Sequence, residues 1–313
     1  MHRRISAVCV TALLHLMNYF DLHCDTIYEC LKTNQQLDHN DLSIDLYRGQ
    51  SCSNWVQTFA FWISDDLRGE AAYQDFLRQY DFFQSQLEQN TQLRLYDGKA
   101  FSNYCNAMLS VEGGAVLAGK IERIQELSKR GIRMLTLCWN GENEIAGGAL
   151  SQGRFTKFGK QVVKELEQQG IIVDVSHLNE PSFWELCDFA EKPFIATHSN
   201  AKAICNHPRN LTDDQIIEIR NRKGLIGLNF YLDFLAERTP VIMQNLFQHI
   251  DYFLNLGCQD VLAIGSDFDG ATVPEWLCGI ETVANLYENM VEYYGRDIAN
   301  KIYFENAQNF FSH

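Results

Sequence analysis

Short, nearly continuous apolar runs recur along the chain, separated by stretches in which apolar residues return every three or four positions. The runs fall at residues 18–25, 55–63 (WVQTFAFWI), 106–112 (NAMLSVE), 133–139 (RMLTLCW), 170–177 (GIIVDVSH), 193–199 (PFIATHS), 224–231 (GLIGLNFY) and 261–268 (VLAIGSDF). Runs with so little polar alternation are expected of parallel strands whose sheet is covered on both faces. The spacing at 70–87, 116–128, 157–168 and 241–256 predicts amphipathic helices between them. Start signals predict two more: Asn179-Glu180-Pro181 before a helix near 182–190, and Thr212-Asp213-Asp214 before one near 213–222. Gly131, Gly170 and Gly224 each follow a helical stretch, where a C-cap glycine belongs. Residues 26–51 fit the alternation least and read as loop plus weak helix.

Eight strands alternating with helices predict an α/β fold of the (β/α)8 TIM barrel type. An open doubly wound sheet is the alternative. No G-x-G-x-x-G or G-x-x-x-x-G-K-[ST] follows any strand, which removes the usual reason to prefer it. No linker, repeat or low-complexity segment divides residues 18–313, which read as one catalytic domain.

Composition narrows the function classes. The 313 residues are 46% hydrophobic and 21% charged, which excludes a wholly disordered or collagen-like chain. A net charge of −14 argues against an electrostatic grip on nucleic acid or on an anionic membrane. No stretch of about 18 uncharged apolar residues predicts a membrane span. The ten cysteines contain no C-x-x-C pair and read as free thiols in a reducing compartment. His2-Arg3-Arg4 and the apolar residues after it look like the start of a secretory signal, yet the first strand follows at once. Residues 1–17 are therefore read as a signal-like or mis-started extension, with Met17 as the true start. No anchor-type hydrophobic tail follows the last helix, so a cytoplasmic location is expected, or a secreted one if the leader is real.

Barrel enzymes carry their chemistry at the C-terminal ends of the strands. Here those ends read His23-Cys24-Asp25, Glu112-Gly113-Gly114, Asp174-Val175-Ser176-His177, Thr197-His198-Ser199 and Asp267-Phe268-Asp269. Alternation along a strand puts His23 and Asp25 on the same side. One H-x-D is weak evidence, but His, Asp or Glu at five ends of one face predicts a metal centre. Imidazole and carboxylate ligands without thiolate suit Zn²⁺ or a similar divalent ion. Five ligands exceed one tetrahedral site with an open position, and a bridging Glu112 reconciles the count. Two ions about 3.5–4 Å apart would hold a hydroxide and polarise a carbonyl. Asp267 is then left as a general acid/base or a substrate anchor.

The segments FDLHCDT, MLSVEGG, VDVSH, THSNAKAICNHPRNLTDDQI and GSDFDG resemble those of the membrane dipeptidase (renal dipeptidase) family of zinc peptidases, family M19, in the family order and over nearly the whole chain. The resemblance implies a barrel with two zinc ions that hydrolyses free dipeptides through a metal-bridged hydroxide, tolerates D-residues at the C-terminal position, and often pairs as a homodimer. Carried over, His23 and Asp25 would bind the first ion, His177 and His198 the second, and Glu112 both. Arg209 would hold the substrate carboxylate in a charge-assisted fork. Asp267 would engage the free amino group and pass a proton to the leaving amine.

One position departs. The family's best-studied members carry a histidine at the end of strand four, where this chain has Trp139. An indole donates one N–H but cannot carry a proton, so support of the oxyanion is in question. Trp139 or Asn140 would substitute, or the preferred substrate differs. The alternatives are a related metal-dependent amidohydrolase acting on another small amide or lactam, and a non-catalytic peptide-binding barrel. Tyr231, at the end of strand seven, is a further candidate to face substrate. His207 is expected to position the Arg209 loop and Asp269 to structure its own. Asp174 reads equally as a residue that orients a ligand and as a buried polar group of its strand.

Overall fold

A computed structural model describes residues 17–312; the signal-like reading of residues 1–16 lies outside the described residues. The strands are β1 (Met17–Asp21), β2 (Cys52–Trp62), β3 (Leu93–Leu95), β4 (Cys105–Glu112), β5 (Ile132–Thr136), β6 (Ile172–Asp174), β7 (Ile226–Leu228) and β8 (Leu262–Ile264). Seven of them pair side by side in the order β6-β5-β4-β2-β1-β8-β7, and every pairing is parallel. The short β3 joins β4 off this path and has no counterpart among the predicted strands.

Residues 193–199 close the ring. They form isolated bridges rather than a continuous strand, Asp174 to Ile195 on one side and Ala196 to Ile226 on the other. The backbone bonds run both ways: Val175 N donates to Ile195 O at 2.7 Å, and Gly227 N to Ala196 O at 2.8 Å. This segment is the eighth stave of the predicted barrel.

Phe20, Leu22, Val56, Met108, Met134, Ile195 and Ala263 come from six staves yet pack on one another, so they fill the lumen. Ala307 and Phe311, from the helix Asn306–Phe311, close its lower end, and Phe311 stacks on Phe20 with centroids 5.7 Å apart. Each such fully buried ring contributes about 1.5–3 kcal/mol of hydrophobic stabilisation. Period-two alternation then carries Ser110 and Glu112 of β4 to the same inner face above Met108. The outer faces pack against helices, including α1 (Thr26–Thr33), α2 (Glu70–Gln89), α3 (Arg123–Lys129), α4 (Lys157–Gln169), α5 (Glu180–Cys187), α6 (Asp213–Asn221), α7 (Leu232–Leu235) and α8 (Met243–Asn255).

The start signals work as read. Asn179 accepts a bond from Ser182 N at the head of α5, and Thr212 with Gln215 forms a capping box on α6. The stretch 116–128 divides instead into a 3-10 turn, Gly114–Leu117, and α3. Within residues 26–51 lie α1 and a 3-10 turn, Arg48–Ser51.

Gly131 and Gly170 take the left-handed conformation of a cap, at φ 83° and 70°. Gly224 does not; the positive φ belongs to Lys223, at 60°. Gly224 serves close approach, because a Cβ there would stand 2.0 Å from Phe194 O. Gly227 and Gly265 face the same constraint from Thr197 O, at 1.8 and 1.7 Å, where three staves crowd together. The cysteines among the described residues are free, and most are buried. No helix among the described residues is long and apolar enough to cross a membrane.

Candidate metal centre

Two buried aspartates lock the strand ends on which the site is built. Asp21 accepts bonds from Ser266 Oγ (2.6 Å), Ser266 N (2.8 Å), Gln57 Nε2 (2.9 Å) and His23 N (3.2 Å). It thus ties the end of β1 to the end of β8. Asp174 accepts from Thr136 Oγ1 (2.6 Å), Thr197 Oγ1 (2.7 Å), Thr197 N and Ser176 N (both 3.0 Å). Asp174 is therefore both a satisfied strand residue and, through Thr197, a residue that orients His198.

Above these anchors the described donors form three groups: His23, Asp25 and Glu112; Glu112, His177 and His198; and His23, His198 and Asp267. His177 Nε2 lies 2.8 Å and His198 Nε2 3.5 Å from Glu112 Oε1. His23 Nε2 lies 3.7 Å from the other oxygen, Oε2, and 3.3 Å from Asp25 Oδ2. Asp267 Oδ1 stands 3.9 Å from His23 Nε2. His177 and Asp267 adopt φ of 71° and 61°, a region that His and Asp enter more readily than most residues and that recurs at functional sites.

The tautomers follow from the partners. Thr197 Oγ1 gives its proton to Asp174, so at 2.8 Å it accepts from His198 Nδ1. His177 Nδ1 faces the amide oxygen Asn140 Oδ1 at 3.0 Å, which only accepts. Both Nε2 atoms then point lone pairs at a shared space, 2.9 Å apart. Asp25 Oδ1 is buried with no partner. Facing lone pairs, an orphaned carboxylate oxygen and the absence of thiolate together fit divalent cations.

Charge balance points the same way. Burial, reinforced by Arg209 and His23, holds His177 well below the usual imidazole range. Burial does the same to His198, with His23 and Arg209 adding to it. Both are neutral, the form that ligates metal. Burial also disfavours charge on His23, but Glu112 and Asp25 outweigh it and raise it to about 10. Glu112 is pushed well above the usual carboxylate range by burial, against the opposing pull of His23.

A cavity of about 550 Å³ opens over the donors and is lined by Asp25, Glu112, His177, Asp267, Arg209, Trp139 and Tyr231, among others. Arg209 is buried, with Nε unpartnered and one terminal nitrogen 3.4 Å from His198 O. Tyr231 donates its hydroxyl to Asp233 Oδ2 at 2.8 Å. Trp139 stands edge-on to Trp62 with centroids 5.1 Å apart. His207 Nδ1 accepts from Arg209 N at 3.2 Å, and Asp269 binds Thr26 Oγ1 at 2.5 Å and Ser43 N at 2.6 Å, so both fill the loop-holding roles expected of them.

Sequence reasoning missed Asn229, whose Nδ2 donates to Asp267 Oδ2 at 2.9 Å. A lone amide at the end of the apolar run GLIGLNF was the available signal. Trp62 and Tyr28, which also line the cavity, gave no chemical signal.

Comparison with known proteins places this geometry in a family. The membrane dipeptidase family, peptidase family M19, matches residues 8–312. An uncharacterised protein from the pqqA 5′ region of Klebsiella pneumoniae is 34% identical over 196 residues, 58% of this chain and 71% of that protein. An uncharacterised dipeptidase of Schizosaccharomyces pombe is 29% identical over 197 residues, 61% of this chain and 48% of its own length, so the match spans about half of that relative. Two solved structures share the fold at 22% identity. The dipeptidase AC, a family M19 metallopeptidase, superposes with a TM-score of 0.86 over 96% of this chain and 100% of that one. A Rhodobacter sphaeroides metallopeptidase, solved with a phosphinate mimic of the dipeptide L-Ala-D-Ala, gives 0.87 over 95% and 99%. With its barrel, its convergent donors and a family match over almost its full length, the chain belongs to the membrane dipeptidase family of metallopeptidases, M19.

Proposed function

We propose that the chain is a binuclear zinc dipeptidase acting on free dipeptides. One observation carries the reading: the two oxygens of Glu112 face different donor sets, Oε1 toward His177 at 2.8 Å and Oε2 toward His23 at 3.7 Å. A single carboxylate shared in this way suits a pair of cations, with His23 and Asp25 on one side and His177 and His198 on the other. When bound, two zinc ions supply Lewis-acid polarisation of the scissile carbonyl and a water of lowered pKa.

The chain's own residues supply the rest. Arg209 lines the cavity wall and its guanidinium takes the substrate's terminal carboxylate. Asp267 faces the same cavity and takes the α-ammonium. Asn229 holds Asp267 Oδ2, which leaves Oδ1 to accept a proton and return it to the departing amine. Burial raises the Asp267 carboxyl above its usual range, against the pull of His23, and eases that uptake. One anchor for each terminal charge limits the substrate to dipeptide length. Tolerance of a D-residue at the C-terminal position is supported by the L-Ala-D-Ala mimic bound to the Rhodobacter relative.

The test combines metal analysis of zinc-reconstituted protein with hydrolysis of L-Ala-L-Ala, L-Ala-D-Ala, their N-acetyl forms and their amides. Two zinc ions per chain and turnover confined to free dipeptides are expected. Preference for blocked substrates would favour an amidohydrolase of another amide class. Binding without turnover would favour a peptide-binding barrel, the reading that Trp139 keeps in view.

A further inference from the structure

One wall of the cavity is built of rings. Tyr28 meets Trp62 edge-on at 4.8 Å and 83°, and Trp62 meets Trp139 edge-on at 5.1 Å and 76°. The Trp139 ring lies 6.2 Å from His177, so this wall borders the candidate ligands directly. Leu150 extends it at the mouth and is 67% exposed, more than any other large exposed hydrophobic residue among those described.

Its exposure does not come from a slack loop. Leu150 N donates to Asn140 O at 2.9 Å, Ala149 N to His177 O at 2.7 Å, and Gly141 N to Asp65 Oδ2 at 2.6 Å. The backbone thus holds Leu150 at the mouth in line with Tyr28, Trp62 and Trp139, and together they offer an apolar surface that a ligand side chain can cover. Lys32 and Glu29, which also line the cavity, pair with each other at 2.8 Å.

We propose that this wall is a side-chain subsite, and that Trp139 makes the enzyme select dipeptides carrying a large apolar or aromatic side chain. The proposal rests on the dipeptidase reading above. Trp139 is then a specificity residue, which gives the departure at this position a physical meaning: a flat apolar surface stands where the family's best-studied members present a polar ring.

The test compares kcat/KM for Ala-Ala, Ala-Phe, Phe-Ala and Ala-Lys in wild type, Trp139→Ala and Trp139→His. Calorimetric Kd values for dipeptide phosphinates bearing a methyl or a benzyl side chain run in parallel. Wild type should favour at least one phenylalanine dipeptide over Ala-Ala by roughly 10-fold or more. Both substitutions should bring that ratio, and the benzyl-to-methyl Kd ratio, toward one. The ratio cancels any general loss of rate, and Trp139→His guards against a cavity that collapses. Preference for Ala-Ala or Ala-Lys in wild type, or ratios unchanged in both variants, overturns the proposal. If no dipeptide is cleaved, the dipeptidase reading fails, and the phosphinate Kd ratio still decides whether the wall selects apolar side chains.

Discussion

His177 Nε2 and His198 Nε2 lie 2.9 Å apart, and each ring is held from behind, His177 by Asn140 Oδ1 at 3.0 Å and His198 by Thr197 Oγ1 at 2.8 Å. Thr197 in turn gives its hydroxyl proton to Asp174 at 2.7 Å, so the hydroxyl can only accept from the imidazole. Thr197→Val keeps the shape and removes that acceptor. Loss of such an outer partner weakens metal binding by about 10–100-fold. The weakening should fall on the proposed cation site of His177 and His198, leaving the proposed His23 and Asp25 site near wild type. Competition with a chelator should then resolve two steps, only one of them shifted. Equal shifts in both steps would count against this arrangement.

Asp267→Asn separates proton transfer from metal binding. Asn tolerates the φ of 61° at this position, and its side chain can still meet Asn229. It cannot take up the proton. Turnover should fall by roughly 10²–10⁴-fold with zinc content unchanged. Near-native single-turnover rates in a fully loaded variant would reject the role.

Arg209→Lys tests the carboxylate anchor. A lysine keeps the charge but not the planar fork. Losing one charge-assisted bond should raise KM for free dipeptides by roughly 10–100-fold. Dipeptide amides, which carry no carboxylate, should change much less. Parallel losses for acids and amides would place the effect elsewhere.

The barrel was legible because its staves are apolar on both faces, as in 105–112, where every residue is buried. The donors were legible because each stands just where such a run ends. What escaped depends on register between distant staves. Asn229 meets Asp267 across 38 residues, and Thr197 meets Asp174 across 23, and no local spacing encodes either pairing. Gly224 looked like a cap because it follows a helix; the close approach of Phe194 O is a tertiary fact. Trp62 and Tyr28 carry no local chemical signal; only the fold sets Trp62 between Tyr28 and Trp139.

Gly227→Ala should be severe. Its Cβ would stand 1.8 Å from Thr197 O, a backbone atom that cannot swing away. Overpacking usually costs about 1–3 kcal/mol, and this case should reach or exceed the upper end. Because Thr197 precedes His198, zinc affinity should fall with stability. Gly119→Ala is the control: its φ is +71° but nothing stands within 4 Å, so only backbone strain of about 1–2 kcal/mol applies. Denaturant unfolding of both variants measures the contrast, and equal losses would mean that strain, not crowding, sets the cost.

His249 supplies a pH dependence that lies away from the donors. It is fully buried on α8, accepts from Ala201 N at Nδ1 (3.2 Å) and donates from Nε2 to Leu235 O (3.1 Å). The pair of bonds fits only the neutral ring, and it pins the loop three residues beyond His198. Burial pushes its pKa from 6.5 down to about 4, with the Leu235 bond opposing in part. The folded value lies below the unfolded one, so as pH falls the unfolded chain takes up the proton first. The stability this group contributes is full above about pH 6.5 and is lost as pH drops through the window to about 4. At about 1.4 kcal/mol per pKa unit, the loss is on the order of 3 kcal/mol. His249→Gln keeps a donor for Leu235 O and does not titrate. The stability gap between wild type and His249→Gln should therefore narrow as pH is lowered across that window, while the carboxylates and metal ligands common to both proteins cancel. Urea unfolding at half-unit pH steps measures the gap, and a gap independent of pH would show that His249 does not titrate with the assigned sign.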